Sequence, residues 1–146
     1  MIREMTAADI PGALEIEKTL QGRQWTGRAF EESLQQEYTF FYVAAEPDGS
    51  IAGYCCVERL YGEAEIVNVA VDPKLRRRGI GDELLGRVLK EEAAAGTVRV
   101  VLEVRRSNQA AICLYEKAGF TEIGIRKNFY EFPTEDALVM QLEMGQ

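Results

Sequence analysis

Between residues 64 and 105 the apolar pattern changes period twice. "EIVNVAVD" reads as a strand and stops at Asp72-Pro73, because the residue before a proline is held in extended backbone. From Ile80 onward, Leu84, Leu85, Val88 and Leu89 recur at helical spacing, and Gly96 ends that run. "VRVVLEVR" then alternates again, with Val98, Val100, Leu102 and Val104 on one face and Arg99, Val101, Glu103 and Arg105 on the other. A strand, a helix and a second strand in this order close as a parallel pair through a right-handed crossover. Whatever flanks that unit, the chain is a mixed α/β fold.

The flanks supply the rest of the order. "IREM" reads as a first strand. "TAADIPGALEIEKTL" reads as a helix with Thr6 or Asp9 as cap and Ala13, Ile16 and Leu20 on one face. "QGRQW" breaks the pattern, and Thr26 caps a second helix to about residue 37. "FFYVAAE", the turn "PDGS" and "IAGYCCVERL" form an antiparallel hairpin. After the central unit, Ser107 or Asn108 caps a helix through Ala118 with Gly119 behind it, and "FTEIGIRK" and "DALVMQLEM" close the sheet. The expected order is β α α β β β α β α β β in a single domain, 1–146, since 146 residues fill one ordinary domain.

Composition excludes more than it assigns. There is no histidine, so a Ser-His-Asp or Cys-His centre and a His-ligated metal are ruled out, and no metal is expected. Acid–base chemistry near neutrality falls to Glu, Asp, Tyr, Lys, Cys or a chain terminus. Cys55, Cys56 and Cys113 lack CxxC spacing and read as buried, reduced thiols. A net charge of −7 argues against direct nucleic-acid binding and suits a cationic partner. The absence of a long apolar run argues against a membrane span, and the early acids in "MIREMTAADI" against a secretory leader; a cytoplasmic protein is expected.

Against that acidic background, "RRRGIG" (76–81) concentrates positive charge where a strand turns into a helix. The first amides of a helix lack internal partners and sit at the positive end of its dipole, and glycines let an anion approach the backbone. The segment reads as a phosphate site. It is not a P-loop, which needs Gly-Lys-Ser/Thr. Nor does it complete a dinucleotide fingerprint, because bulky Leu84 occupies the third glycine position. The competing reading is a solvated basic turn.

"RRRGIG" also matches the R/Q-x-x-G-x-G/A signature of the GNAT (GCN5-related) N-acetyltransferases. "LEVRRSNQAAICLYEKAGF" (102–120) resembles that family's second block. The run from Glu63 to Tyr130 is most similar to the RimI-type branch, the bacterial ribosomal-protein alanine N-acetyltransferases, and "QWT" at Trp25 resembles that branch's "PWS". The resemblance implies the GNAT acyl-CoA N-acyltransferase fold: a mixed, mostly antiparallel sheet flanked by about four helices. Its parallel pair, residues 66–71 and 98–105, is splayed.

It implies acetyl-CoA as donor. Pantetheine would lie along Val69, Ala70 and Val71. The pyrophosphate would rest on the amides of Arg76, Arg77, Arg78, Gly79, Ile80 and Gly81, with Asn108 touching the cofactor arm. By the same match Glu103 is the general base. Tyr115 is the general acid that protonates the departing thiolate, in direct attack within a ternary complex.

Read locally, a strand glutamate such as Glu103 is more often ion-paired, here with Arg99 or Arg105, and a helix tyrosine such as Tyr115 is more often packing. Glu63 and Glu65 are rival bases acting through water. The resemblance implies a protein N-terminal α-amine as acceptor, that of a basic ribosomal protein's alanine. A small amine such as a polyamine, aminoglycoside or amino acid is the alternative, and a non-catalytic acetyl-CoA-binding module is a third. Trp25, Tyr38, Phe129 and Tyr130 are candidates for the acceptor wall, unless two or more of them are core. An α-amine, with a pKa of about 7.7–8.0, is roughly a tenth neutral at pH 7, whereas a lysine is neutral at only about 0.04%. The α-amine therefore demands less of its base.

Overall fold

A computed structural model of the protein describes residues 1–20 and 25–145. The expected break at "QGRQW" falls mostly on residues 21–24, outside the described residues. The elements are β1 (Ile2–Glu4), α1 (Ile10–Glu17), α2 (Gly27–Leu34), β2 (Thr39–Ala45), β3 (Ile51–Leu60), β4 (Glu63–Val71), α3 (Ile80–Ala94), β5 (Arg99–Arg105), α4 (Gln109–Lys117), β6 (Thr121–Tyr130) and β7 (Glu135–Glu143). This is the expected order and the expected mixed α/β class. The strands form one sheet, β1-β2-β3-β4-β5-β7-β6, antiparallel at every junction except β4 with β5.

Local chemistry explains the boundaries. The β3–β4 hairpin turns on Tyr61 and Gly62, both at positive φ (51° and 81°), the twist that a two-residue turn between antiparallel strands needs. Thr26 caps α2 by accepting from the Ala29 amide at 3.1 Å, and α2 stops at Leu34, short of residue 37. Thr6 caps a single 3-10 turn at Ala7–Asp9, and the α-helix starts only at Ile10, where Pro11 sits in the first turn. Asp9 is held there by both guanidinium nitrogens of Arg3, each at 2.8 Å. Leu20 lies beyond the end of α1.

Two apolar layers cover the sheet. On one face Leu84, Leu85 and Val88 of α3 and Ile112 of α4 pack on Val57, Ile66, Val100 and Leu102. On the other, Ile10, Ala13 and Ile16 of α1 and Phe30 of α2 pack on Phe41, Val43, Tyr54 and Ala70. Each of the larger aliphatic and phenylalanine side chains contributes about 1.5–3 kcal/mol by leaving water. Two expectations fail at the edges. Val98 precedes β5 and is 58% exposed, so the buried stripe is Val100, Leu102 and Val104. Cys55 and Cys56 are buried, but Cys113 is exposed, because it lies on the α4 surface beside a cleft and not under it.

The feature that shapes that cleft is a parting of β4 from β5. They pair only from Glu63 opposite Arg99 to Ile66 opposite Leu102. There β4 carries a bulge: Val57 of β3 faces Ile66 and Cys56 faces Asn68, leaving Val67 as the extra residue. A bulge bends its strand and ends the pairing beside it. Beyond it, Glu103, Val104 and Arg105 are paired with β7 alone, and residues 67–71 show a strand edge to the gap.

Candidate active site

The loop before α3 is built to leave amides free. Asp72 accepts from the Lys74 amide at 3.0 Å and donates its own amide to Ala52 at 2.8 Å, fixing the exit from β4. Arg77 (φ 68°) and Gly79 (φ 77°) then turn the chain through the left-handed region. No side chain caps α3 at Gly79, and its first turn closes with the Glu83 amide on the Gly79 carbonyl at 3.0 Å. The amides of Ile80, Gly81 and Asp82 therefore lack helical partners at the positive end of the helix. A Cβ at Gly81 would stand 3.4 Å from the Leu114 side chain of α4, so α3 and α4 approach closely there.

This loop opens onto a cleft of about 1160 Å³ between the parted strands. Of the residues anticipated for a cofactor, Val69 and Val71 line it from β4, and Arg76, Arg77, Gly79, Ile80 and Gly81 from the loop. Asn108, Tyr115 and Glu103 line it from α4 and β5. Ala70 and Arg78 do not. Ala70 is buried under α1 and α2, since alternate residues of a strand face opposite ways. Arg78 points to the residue just after β2, Glu46, which takes both its terminal nitrogens at 2.7 and 3.2 Å, so it braces the loop from behind. Lys117 and Asp82, 3.2 Å apart, link α4 to the start of α3. Asn108 caps α4 through the Ala111 amide at 3.1 Å while lining the cleft.

Tyr115 is 6% exposed and packs edge-on to Phe120, with ring centroids 5.7 Å apart. Burial pushes its phenol up, so it is protonated at neutral pH and able to donate. Glu103 is half-buried, and its cation is neither Arg99 nor Arg105 but Arg126 of β6, at 3.3 Å. Arg99 binds Glu63 at 2.8 Å at the paired end of β4, away from the cleft. Glu65 lies across from Val101 in the parallel register, so it sits diagonally beside Glu103 on the same sheet face. Partial burial, a hydrogen bond shared with Glu103 and that residue's charge push the Glu65 carboxyl up to about 7.

Two arrangements escaped the sequence reading. Glu17, at the end of α1 and 2% exposed, accepts from the Tyr54 hydroxyl, from Asn68 at 3.3 Å and from the Trp25 amide at 2.8 Å. It ties the segment entering α2 to the β4 bulge, and only a sequence signal spanning α1, β3 and β4 would have found it. Arg105 holds the β6–β7 turn: it donates to the carbonyls of Pro133 and Glu131, each at 2.9 Å, and stacks 4.5 Å over the Tyr130 ring. Of the aromatic candidates, Trp25, Phe129 and Tyr130 line the cleft, although Trp25 also packs on Phe30 and Phe41. Tyr38 is 46% exposed and does not line it.

The cleft thus combines uncapped helix amides, an open strand edge, a buried phenol and the Glu103 carboxyl. Known proteins resemble the chain in sequence and in fold. The acetyltransferase (GNAT) family model matches residues 9–120. A [ribosomal protein bS18]-alanine N-acetyltransferase of Escherichia coli (strain K12) is 36% identical over 148 residues, 99% of this chain and 97% of that one. The N-alpha-acetyltransferase RimI of Mycobacterium tuberculosis is 35% identical over 150 residues, 99% of this chain and 92% of its own. The crystal structure of the ribosomal-protein-S18-alanine N-acetyltransferase from Escherichia coli superposes with a TM-score of 0.90 at 34% identity, covering 100% of this chain and 94% of that one.

Proposed function

The chain belongs to the GNAT acetyltransferase family, and from that premise we propose that it moves the acetyl group of acetyl-CoA onto a protein's N-terminal α-amine, that of the alanine of ribosomal protein bS18. The observation that carries the acceptor is the bS18-alanine enzyme's 36% identity over nearly the whole of both chains.

The residues of the cleft fit the donor. Acetyl-CoA supplies the acyl group as a thioester. The Ile80, Gly81 and Asp82 amides, with Arg76 and Arg77, suit its diphosphate, and the open edge at Val69 and Val71 suits the amides of its arm. Asn108 would reach the same arm from the start of α4. Tyr115 would give its proton to the leaving sulfur, and Glu103 would take one from the attacking nitrogen. Trp25, Phe129 and Tyr130 would form the acceptor wall.

The test offers labelled acetyl-CoA to three acceptors: a basic peptide beginning with alanine, the same length of lysine peptide with a blocked terminus, and a polyamine panel. Label on the free alanine terminus is the expected result. Label confined to the polyamines would redirect the reading to a small-amine acetyltransferase.

A further inference from the structure

Glu65 has no place in the roles above, yet the parallel register puts it diagonally beside Glu103, one residue before the last paired position at which the strands part. Strands that pair in parallel bring side chains of one face within reach of each other, and like charges there repel. A chain that needed only a lone base at Glu103 would gain from a neutral neighbour.

We propose that Glu65 is a positioning residue that shares one proton with Glu103, so that the two carboxyls act as a single base matched to an α-ammonium. The inference rests on the proposed acetyl transfer with Glu103 as base.

The surroundings support it. Facing the pair are Glu58 and Cys56 of β3, Arg126 and Tyr130 of β6, and no histidine, since the chain has none. Arg126 lies against Glu103 at 3.3 Å, whereas Glu65 has Glu58 directly across the strand. The one proton that the ionised pair takes up therefore resides on Glu65, and the remaining charge stands at Glu103, which lines the cleft. Tyr130 is pushed up to about 12 by burial and by Glu103's charge, so it remains neutral and does not compete for the proton.

The gain is in matching. A lone carboxylate at about 4.3 would hold a proton taken from an α-ammonium at about 7.7–8.0 in roughly one encounter in 3,000. A base near 7 would hold it in roughly one in ten. The protons balance. Of the three on the acceptor ammonium, one stays on the amide nitrogen and one passes to the Glu65–Glu103 pair and on to solvent. The third leaves as the carbon–nitrogen bond forms and the carbon–sulfur bond breaks, and it makes good the one that Tyr115 gives to sulfur.

The experiment has two arms. First, carbon-13 NMR of labelled glutamate carboxyls in the free protein should show a titration near pH 7 that disappears in both Glu65→Gln and Glu103→Gln. If both carboxyls titrate below pH 5 in the unaltered protein, or the high midpoint survives Glu103→Gln, the pair does not exist. Second, in the acetyl-transfer assay Glu65→Gln should cut kcat about 100-fold at pH 8 and move its acidic limb from near 7 toward the ordinary carboxylate range. It should leave the acetyl-CoA KM within about twofold, and Glu65→Asp should restore the limb. An acidic limb unmoved in Glu65→Gln overturns the proposal. Full activity in Glu103→Gln, with the NMR titration present in the unaltered protein and lost in both variants, would instead strike down Glu103 as base, so the two failures are told apart.

Discussion

Glu92 and Glu65 are both glutamates drawn out of water against the same sheet, and the protein treats them in opposite ways. Glu92, at the end of α3, is fully buried. Arg59 meets it with two nitrogens at 2.9 and 2.7 Å, Thr97 donates to it at 2.6 Å, and the Arg59 guanidinium lies 4.1 Å over the Phe40 ring. Glu65 has two other carboxylates as its neighbours, and the nearest cation is spent on Glu103. A buried acid with a complete set of donors holds the fold together once it is there. An acid set against another acid does the reverse, so its position is explained by chemistry and not by stability.

The comparison breaks first at Glu92. Glu92→Ala would leave Arg59 and Thr97 without their partner and cost about 3–5 kcal/mol. Thermal melting should fall by about 10 °C, while kcat, measured well below the new melting point, stays within about twofold. A variant that melts like the original, or that folds but loses turnover, would erase the distinction between the two regions.

On the reactive side the expected pattern inverts. Tyr115→Phe keeps the packing on Phe120 and removes only the proton donor. Steady-state kcat should fall by about 100-fold or more, equivalent to about 2.7 kcal/mol, with the acetyl-CoA KM and melting temperature nearly unchanged. Unchanged turnover would dismiss Tyr115 as the acid.

The loop should show which of its parts binds. Gly79→Val forces a branched residue into φ 77°, which disturbs the free amides, whereas Arg77→Ala removes only a side chain. The acetyl-CoA KM should rise about tenfold in the first and about threefold or less in the second. The reverse order would mean that side-chain charge, not the backbone, grips the diphosphate. Arg78→Ala tests the brace: its contact is to Glu46, so its effect should track that of Glu46→Gln.

These contrasts also mark what was legible in the residues alone. The order of elements was, because "DP", the glycines and the two apolar periods are local signals that the final structure did not override. The loop was legible as a glycine-opened helix start with bare amides for the same reason. Glu103 and Tyr115 came from resemblance, and the cleft does hold both. The separate course of the Arg78 side chain was not legible, because neighbouring arginines look alike until the backbone at Arg77 and Gly79 turns them to different sides. The partner of Glu103 was misjudged because Arg126 reaches it across β7, a neighbour that no spacing within "LEVRR" reveals. The Glu65–Glu103 contact depends on the parallel register and on where the bulge at Val67 ends it, both products of distant pairing.

The smallest effect is in stability, and its sign is diagnostic. Glu65 has a folded-state pKa, about 7, above its unfolded value near 4.5. Between those values the folded protein holds a proton that the unfolded chain has released, so stability falls as pH rises through the window and the loss is complete above it. Glutamine carries no such charge. Glu65→Gln should therefore match the original protein near pH 4, then gain on it between pH 4.5 and 7 and level off. Because Glu65 is partly exposed, screening limits the gain to about 1 kcal/mol, or about 3 °C in melting temperature at pH 8. Glu92→Gln should show a loss at every pH in that range, since it deletes a satisfied ion pair and relieves no repulsion. If Glu65→Gln were equally destabilising at pH 4 and pH 8, Glu65 would be a packing residue like any other, and the two glutamates would no longer differ in kind.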